Sequence, residues 1–325
     1  MIVRPELEAL RGDDTPQRQA QAAMRAAWEG WRGHGPGSQL DAELARFGAG
    51  AELEDLPLLA ALFDPVDGCA AELIGAMLAT ILTRLNSEPL SQSPLRFSTD
   101  QAHSSLVLAR QGNATLVLQA FSGAGLAQRG QPASLGFSPT ETVERVLAGS
   151  AKAERIKVTA HRPGGVELEF THVDLDGGSV THRLGESEAQ LLRQIPGVLV
   201  MLKLQRRTGT GTTTCEYRLA DGALIHQAAA SQHDSRLELA AALLGKMGRS
   251  DAAPLLAAMA EEVGGPSLRW QSLRECLGLD SATGFATLCR IAQRADDPLA
   301  VPAGELRAQL IESYPQLAGA CPCPA

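Results

Sequence analysis

The chain has 325 residues, which at about 100–200 residues per domain predicts two or three domains with a sizeable core. Hydrophobic residues make up 44%, charged residues 20% and aromatic residues 4%, as in a globular protein whose core is mostly Leu, Ala, Val and Ile. The formal net charge of −8 disfavours non-specific attraction to nucleic acid or to anionic lipid, so we expect neither nucleic acid nor a membrane as a partner.

The N-terminal residues, MIVRPE, lack the apolar run of a signal peptide, so a cytoplasmic location is expected. The most apolar stretch, residues 69–82, is interrupted by Glu72. Because this stretch is shorter than the roughly 20 residues of a membrane span, it is interpreted as a buried helix.

Cysteine spacing gives no zinc-type pair, and a reducing compartment favours buried free thiols. That expectation covers the four scattered residues Cys69, Cys215, Cys276 and Cys289. The pair Cys321 and Cys323 is expected to lie in a loose C-terminal tail. Soft-metal binding or thiol–disulfide cycling by this pair is the alternative.

Residues 1–94 are predicted to form a helical N-terminal region. Thr15 and Pro16 are typical of a helix start, and the residues after them place apolar side chains at three- and four-residue spacing. That first stripe contains Ala20, Met24, Ala27, Trp28 and Trp31. A second stripe of Leu40, Leu44 and Phe47 ends at Gly48, and a third helix is expected over residues 69–85.

Residues 95–232 are predicted to form an antiparallel β-sandwich, because apolar residues there alternate with period two. Two hairpin signals support this prediction: Gln111-Gly112-Asn113 and Ala220-Asp221-Gly222 each separate two apolar runs. About eight short strands at this spacing are typical of a sandwich or jelly roll. The region resembles a cupin-type barrel in its strand count, although it lacks the cupin histidine motif.

Residues 233–325 return to a helical pattern, and part of that region repeats. The segments LAAALLG at 239–245 and DAAPLL at 251–256 are followed roughly thirty residues later by LRECLG at 273–278 and SATGFA at 281–286. These segments resemble HEAT-type helical repeats. The resemblance implies stacked helices that present a surface for contact with another protein. Together the three regions predict an α+β fold.

The sharpest chemical pattern is formed by His172, Asp174 and His226, with Arg236 ten residues after the second histidine. Residues at i and i+2 of a strand point to the same face, so His172 and Asp174 are placed to bind one metal ion. The set resembles the His-x-Asp…His facial triad of Fe(II)/2-oxoglutarate dioxygenases. That resemblance implies Fe(II) as cofactor and Arg236 as the group that binds the cosubstrate carboxylate.

A simpler interpretation of the same residues competes with the metal site. Val166, Leu168, Phe170 and His172 share parity and are expected to face a core, while Asp174 begins a turn that ends at Gly178. Weak catalytic motifs and the helical repeat favour a non-enzymatic binding or regulatory protein. Its partner would be another protein or a small molecule held in the sandwich. The iron oxygenase is the alternative function.

Overall fold

The computed structural model describes residues 10–208, 213–229 and 232–320. Helices at the two ends of the chain enclose a run of strands. The helices are α1 (Thr15–Arg32), α2 (Gly35–Gly48), α3 (Pro57–Phe63), α4 (Cys69–Ser87), α5 (Gly123–Arg129), α6 (Gln232–Lys246), α7 (Ala253–Glu261), α8 (Pro266–Leu279), α9 (Ser281–Ala292) and α10 (Ala300–Ser313).

The strands begin after α4 and end before α6. They are β1 (Phe97–Thr99), β2 (His103–Gln111), β3 (Ala114–Ser122), β4 (Ser134–Phe137), β5 (Thr140–Ala148), β6 (Ala151–Arg162), β7 (Gly165–Leu175), β8 (Val180–Leu184), β9 (Glu188–Gln194), β10 (Val198–Arg207), β11 (Thr213–Arg218) and β12 (Leu224–Ala229). The predicted α+β class, with helices before and after antiparallel strands, is therefore confirmed.

These strands form three sheets, with orders β1-β2-β3-β10-β5-β8, β7-β6-β9 and β12-β11-β4. Both predicted hairpins are present, because β2 pairs with β3 and β11 pairs with β12 in antiparallel register. The turns require φ values of +52° at Gly112 and +69° at Gly222, a region that side-chain-bearing residues rarely adopt.

The chain divides into two compact units. The first contains Met1–Pro132, Thr140–Val158 and Glu169–Arg207, and the second contains Ala133–Pro139, Thr159–Leu168 and Thr208–Ala325. Helices α1 to α4 thus share a unit with the six-stranded sheet, and the sheet of β4, β11 and β12 shares one with the C-terminal helices.

In the first unit, helices pack on one face of the six-stranded sheet. The α1 stripe buries Ala20, Met24 and Trp28, as its spacing predicts. Leu202 and Leu204 of β10 belong to the same apolar cluster as these helices. Because side chains alternate along a strand, Met201 of β10 lies on the opposite face, in a second cluster.

Two buried arginines fix the helices to this sheet. Arg206 of β10 donates to the carbonyl oxygens of Phe47 at 3.0 Å and Ala51 at 2.6 Å, where α2 ends. Arg145 of β5 donates to the carbonyl oxygens of Leu62 and Asp67, both at 3.0 Å. Each guanidinium thereby holds the backbone of a segment between two N-terminal helices against the sheet through charge-assisted hydrogen bonds.

Helix α4 tests the interpretation of the most apolar stretch. By length and composition alone this helix of 19 residues could cross a membrane, although the core helix of a globular domain passes the same test. Five of its side chains are buried against the first unit's core: Ala70, Leu73, Ile74, Met77 and Ile81.

The second unit packs its C-terminal helices closely. A Cβ atom on Gly284 of α9 would stand 2.5 Å from Cα of Leu277 in α8, so only glycine permits this approach. Arg269 of α8 is buried and donates to the carbonyl oxygen of Ala260 at 2.9 Å and to the carboxylate of Asp297. The helices α6 to α10 confirm the predicted helical pattern of this region, and the HEAT-type repeat stays a prediction.

Three expectations need correction. Phe170 is 44% exposed and His172 is exposed, so the parity that buries Val166 does not continue along β7. Asp174 lies within β7 rather than in the following turn, because that strand continues to Leu175. Among the described cysteines, Cys289 is disulfide-bonded rather than free.

The remaining cysteines also differ from the expectation in part. Cys69, Cys215 and Cys276 are free thiols as predicted, but only Cys276 is fully buried. Burial raises the pKa of the Cys276 thiol, which keeps it protonated and unreactive. The predicted tail of Cys321 and Cys323 lies outside the described residues.

Candidate functional site

A cavity of about 250 Å³ lies in the first unit, on the face of the six-stranded sheet that the N-terminal helices leave free. Its walls combine apolar side chains, such as Phe121 and Met201, with the polar side chains of His103, Glu144 and Arg183. A mostly apolar wall with a few converging polar groups is typical of a site for a small molecule.

An ion pair forms the polar wall of this cavity. Arg183 of β8 donates to the carboxylate of Glu144 on β5, and their side chains are only 12% and 8% exposed. The register places them diagonally, since Thr142 pairs with Arg183 and Glu144 pairs with Thr181. An ion pair removed from water in this way keeps most of its electrostatic attraction.

Lys203 of β10 adds a second cation beside this pair. It stands directly opposite Glu144 in the register of β10 with β5, two residues after Met201 and therefore on the same face. Desolvation lowers the pKa of the half-buried Lys203, an effect that Glu144 opposes and Arg183 reinforces. Within the described part of the chain, the Lys203 ammonium has neither a hydrogen bond nor an ion pair within 4 Å.

His103 closes another side of the cavity. Its ring stacks on Phe121 with centroids 4.6 Å apart, and its Nε2 lies 3.2 Å from Nε2 of Gln119. Desolvation lowers the pKa of His103, so the imidazole is neutral at neutral pH. A neutral imidazole offers one donor and one acceptor rather than a third positive charge.

Several buried polar atoms around this wall lack a partner in the described structure. They are Oγ1 of Thr181, Nε of Arg183 and Oε1 of Gln190. A buried polar atom without a hydrogen bond costs about 1–3 kcal/mol, so the site is incompletely satisfied as it stands. Two cations, one carboxylate and these free atoms suit a small anion that carries further hydrogen-bonding groups.

The predicted metal ligands lie elsewhere. His172 and Asp174 are both exposed on β7 and, being two residues apart, share one face. The only ion-pair partner that the described residues offer His172 is Glu154, whose Oε1 lies 3.5 Å from Nδ1 of His172.

The other two predicted residues belong to the second unit. His226 lies on β12 and Arg236 lies on α6, and both are exposed. Across residues 10–208, 213–229 and 232–320, no three His, Cys, Asp or Glu side chains form a group able to hold a metal ion. The metal site of His172, Asp174 and His226 stays a prediction, and no chemistry of this chain is derived through iron.

Sequence reasoning missed the polar wall of the cavity. One signal was available in the sequence. Lys203 stands between the apolar run VLVML at 198–202 and Leu204, so a charge lies within an otherwise apolar strand. A charge in a central strand indicates either an edge or an inward-facing polar site. Glu144 and Arg183 carry no such signal, because 38 residues separate them in sequence and only the pairing of β5 with β8 brings them together.

No family model matches the chain, and no curated protein matches it. Solved structures do match part of it. A Drosophila melanogaster CENP-C bound to CAL1 has 14% identity and a TM-score of 0.27, covering 34% of this chain and 76% of its own. A cupin superfamily protein from Desulfitobacterium hafniense has 14% identity and a TM-score of 0.23, covering 34% of this chain and 82% of its own.

A sugar phosphate isomerase of the cupin superfamily from Silicibacter pomeroyi is a third such match. It has 11% identity and a TM-score of 0.24, and covers 38% of this chain and 76% of its own. Two of these three partial matches are named as cupin superfamily proteins. At such identities and TM-scores they bear on neither the activity nor the ligands of this chain.

Proposed function

We propose that this chain is a binding protein that holds a small carboxylate in the cavity beside Lys203 and Arg183. The observation that carries the proposal is the Lys203 ammonium, which is desolvated and has no hydrogen-bond partner among the described residues. A desolvated charge without a partner is costly, and an anionic ligand would supply the missing partner.

The charges of the cavity favour an anion over a cation. Arg183 and Arg129 line the cavity. Each already has an acidic partner, which is Glu144 for Arg183 and Asp100 for Arg129. Lys203 stands beside the cavity, opposite Glu144, and contributes one further positive charge. His103 adds none while its lowered pKa keeps it neutral. One positive charge therefore remains for a ligand, which suits a single carboxylate group.

The size and the free polar atoms narrow the ligand further. A volume of about 250 Å³ lies below the roughly 300–1,000 Å³ of sites for drug-sized ligands, so the molecule must be small. Oε1 of Gln190 accepts and Oγ1 of Thr181 both donates and accepts. A short hydroxycarboxylate offers the carboxylate and the hydroxyl group that these atoms require.

Calorimetric titration with lactate, glycolate and malate tests this proposal, with lactamide as the neutral analogue of lactate. Lys203→Met keeps the length of the side chain and removes its charge, and Lys157→Met makes the same change at an exposed position of β6. We expect saturable binding of at least one hydroxycarboxylate. Lys203→Met should weaken that binding tenfold or more, and Lys157→Met should leave it unchanged.

Two results would overturn the proposal. One is equal affinity for lactate and lactamide, because a site built around Lys203 must prefer the charged form. The other is the absence of saturable binding for all three hydroxycarboxylates. Because Arg183 keeps Glu144 paired in Lys203→Met, loss of binding by that variant would not reflect a broken ion pair.

Exposed apolar side chains on the C-terminal helices support the predicted surface for a protein partner. Leu239 and Leu243 of α6 and Met247, the residue after its end, recur every four residues and are 71%, 56% and 59% exposed. Leu255 of α7 is 61% exposed. Large exposed apolar side chains on one helix face are typical of a contact surface. The HEAT-like arrangement remains part of this proposal.

The iron oxygenase remains the alternative. Its support is the shared face of His172 and Asp174 on β7, and against it stands the lack of a three-residue ligand group in the described ranges. The function proposed first needs no metal and rests on other residues, so the two hypotheses are tested independently.

A further inference from the structure

A second cavity lies in the second unit, far along the chain from Lys203. Its volume is about 740 Å³, and its walls come from α8, α9, α10 and the turn that follows α10. The apolar lining includes Trp270, Leu277, Phe285 and Leu310. The volume falls within the range of about 300–1,000 Å³ that small-molecule sites occupy.

The apolar side chains of this cavity belong to the core of the C-terminal helices. Phe285 is 2% exposed and packs in the cluster that Trp270, Leu277 and Leu310 border. The cavity is therefore a gap beside a packed core, walled by half-buried side chains. Binding of an apolar group in such a gap is favourable, because the group displaces poorly bound water.

One cation stands at this apolar wall. Arg274 of α8 lines the cavity and is exposed, and it forms neither a hydrogen bond nor an ion pair with any described residue. In contrast, Arg269, Arg290 and Arg294 of the same unit each bond to an acidic side chain. The free guanidinium of Arg274 is thus available to a ligand, and its planar donors suit a carboxylate.

We propose that this cavity binds a medium-chain aliphatic carboxylate, with the alkyl chain against Trp270, Phe285 and Leu310 and the carboxylate on Arg274. The apolar walls suit an alkyl chain, and the unpaired guanidinium at the same wall selects a single anionic head group. This site is independent of the hydroxycarboxylate cavity in the first unit, because the two cavities share no residue.

Titration of the full chain with decanoate tests the site by calorimetry and by tryptophan fluorescence. We expect saturable binding and a blue shift of the emission, because the alkyl chain would cover Trp270. The shift should disappear in Trp270→Phe, which leaves Trp28 and Trp31 in place. Octanoate should bind about sixteenfold more weakly, since each buried CH₂ changes affinity about fourfold.

The head-group contact has its own comparison. Arg274→Gln should weaken decanoate binding tenfold or more. Decanol lacks the carboxylate, so its affinity for wild type should be no higher than the affinity of decanoate for Arg274→Gln. Arg249→Gln is the matched control, because Arg249 is exposed in the same unit and lies outside the cavity. Its affinity for decanoate should equal that of wild type.

Four results would overturn this inference. The first is the absence of saturable decanoate binding, and the second is equal affinity of wild type and Arg274→Gln. A third is a dimer in sedimentation that Leu310→Asp dissociates, which would make the cavity an interface with a second copy. The fourth is a blue shift that persists in Trp270→Phe, which would place the bound decanoate away from this cavity.

Discussion

Glu144 stands opposite Lys203 across the pairing of β5 with β10, yet its carboxylate accepts its hydrogen bond from Arg183 of β8. One carboxylate therefore faces two cations, and only one of them is hydrogen-bonded to it. The second cation, Lys203, keeps a lowered pKa because desolvation disfavours its charged form. The strand pairing therefore places an ammonium group without a hydrogen bond beside the proposed anion site.

Lys203→Met should raise the melting temperature of the ligand-free protein at pH 7. The change removes a desolvated charge without breaking the pair of Glu144 and Arg183, and a desolvated charge without a hydrogen-bonded partner lowers the stability of the folded state. Thermal unfolding of wild type and Lys203→Met measures the difference. A lower melting temperature for the variant would show that the ammonium has a stabilising partner.

The same comparison has a pH dependence whose sign follows from linkage. Desolvation puts the pKa of Lys203 in the folded state below its ordinary value of 10.5, so the unfolded chain binds the additional proton. Wild-type stability therefore rises with pH between the lowered pKa and 10.5. The advantage of Lys203→Met should be greatest at neutral pH and shrink toward pH 10.5. An advantage that stays constant over this range would contradict the assigned cause.

Arg206→Met should destabilise the first unit strongly. Arg206 is buried, lies 4.3 Å from the centre of the Phe47 ring, and donates to Glu141 at 2.6 Å as well as to the carbonyl oxygens at the end of α2. Removing one partner of a buried ionic network costs about 3–5 kcal/mol. Denaturant unfolding should show this loss.

The matched control for that change is Arg207→Met, one residue further along β10. Arg207 is exposed, so the free energy of unfolding should change by no more than about 0.5 kcal/mol. Similar losses for Arg206→Met and Arg207→Met would mean that the contacts of Arg206 with α2 contribute little.

Local patterns predicted much of this fold, because turn residues and apolar periodicity act over short distances. The hairpins at Gly112 and Gly222 need only a positive φ between two strands, and both were predicted. The Leu40, Leu44 and Phe47 stripe likewise marks the buried face of α2. Helix α2 starts at Gly35, the first residue of a Gly-Pro-Gly run, because proline is tolerated in a first helical turn.

The candidate site was beyond such reasoning. Period-two alternation predicts a strand, but it does not say which face of the sheet is covered by another layer, because that depends on the whole sheet. Phe170 is therefore exposed although Val166, on the same strand, is buried. The site also depends on register across three strands, which joins Glu144, Arg183 and Lys203. Nothing in the spacing of those residues along the chain encodes that register.

The metal hypothesis gives a further prediction. Fe(II) bound after anaerobic reconstitution should be the same for wild type and His172→Ala, because no three potential ligands form a group within the described ranges. Metal analysis of both proteins after desalting measures this. One equivalent of Fe(II) on wild type that is lost in His172→Ala would instead support the oxygenase.

Two leucines on the C-terminal helices should respond oppositely to the same substitution. Both leucines lie in the repeated segments, but Leu273 of α8 is 0% exposed whereas Leu243 of α6 is 56% exposed. Leu273→Asp places an unpaired carboxylate in the core and should cost several kcal/mol, comparable with the roughly 5–15 kcal/mol of a whole domain.

Leu243→Asp should keep the wild-type melting temperature, because its carboxylate stays in water and surface changes rarely exceed about 0.5 kcal/mol. Thermal unfolding and far-ultraviolet circular dichroism of both variants provide the measurement. A large loss of stability in Leu243→Asp would mean that the α6 face is covered in solution, and sedimentation of wild type would then reveal a second copy. An unchanged melting temperature together with a monomer would leave Leu239, Leu243 and Met247 free for a protein partner.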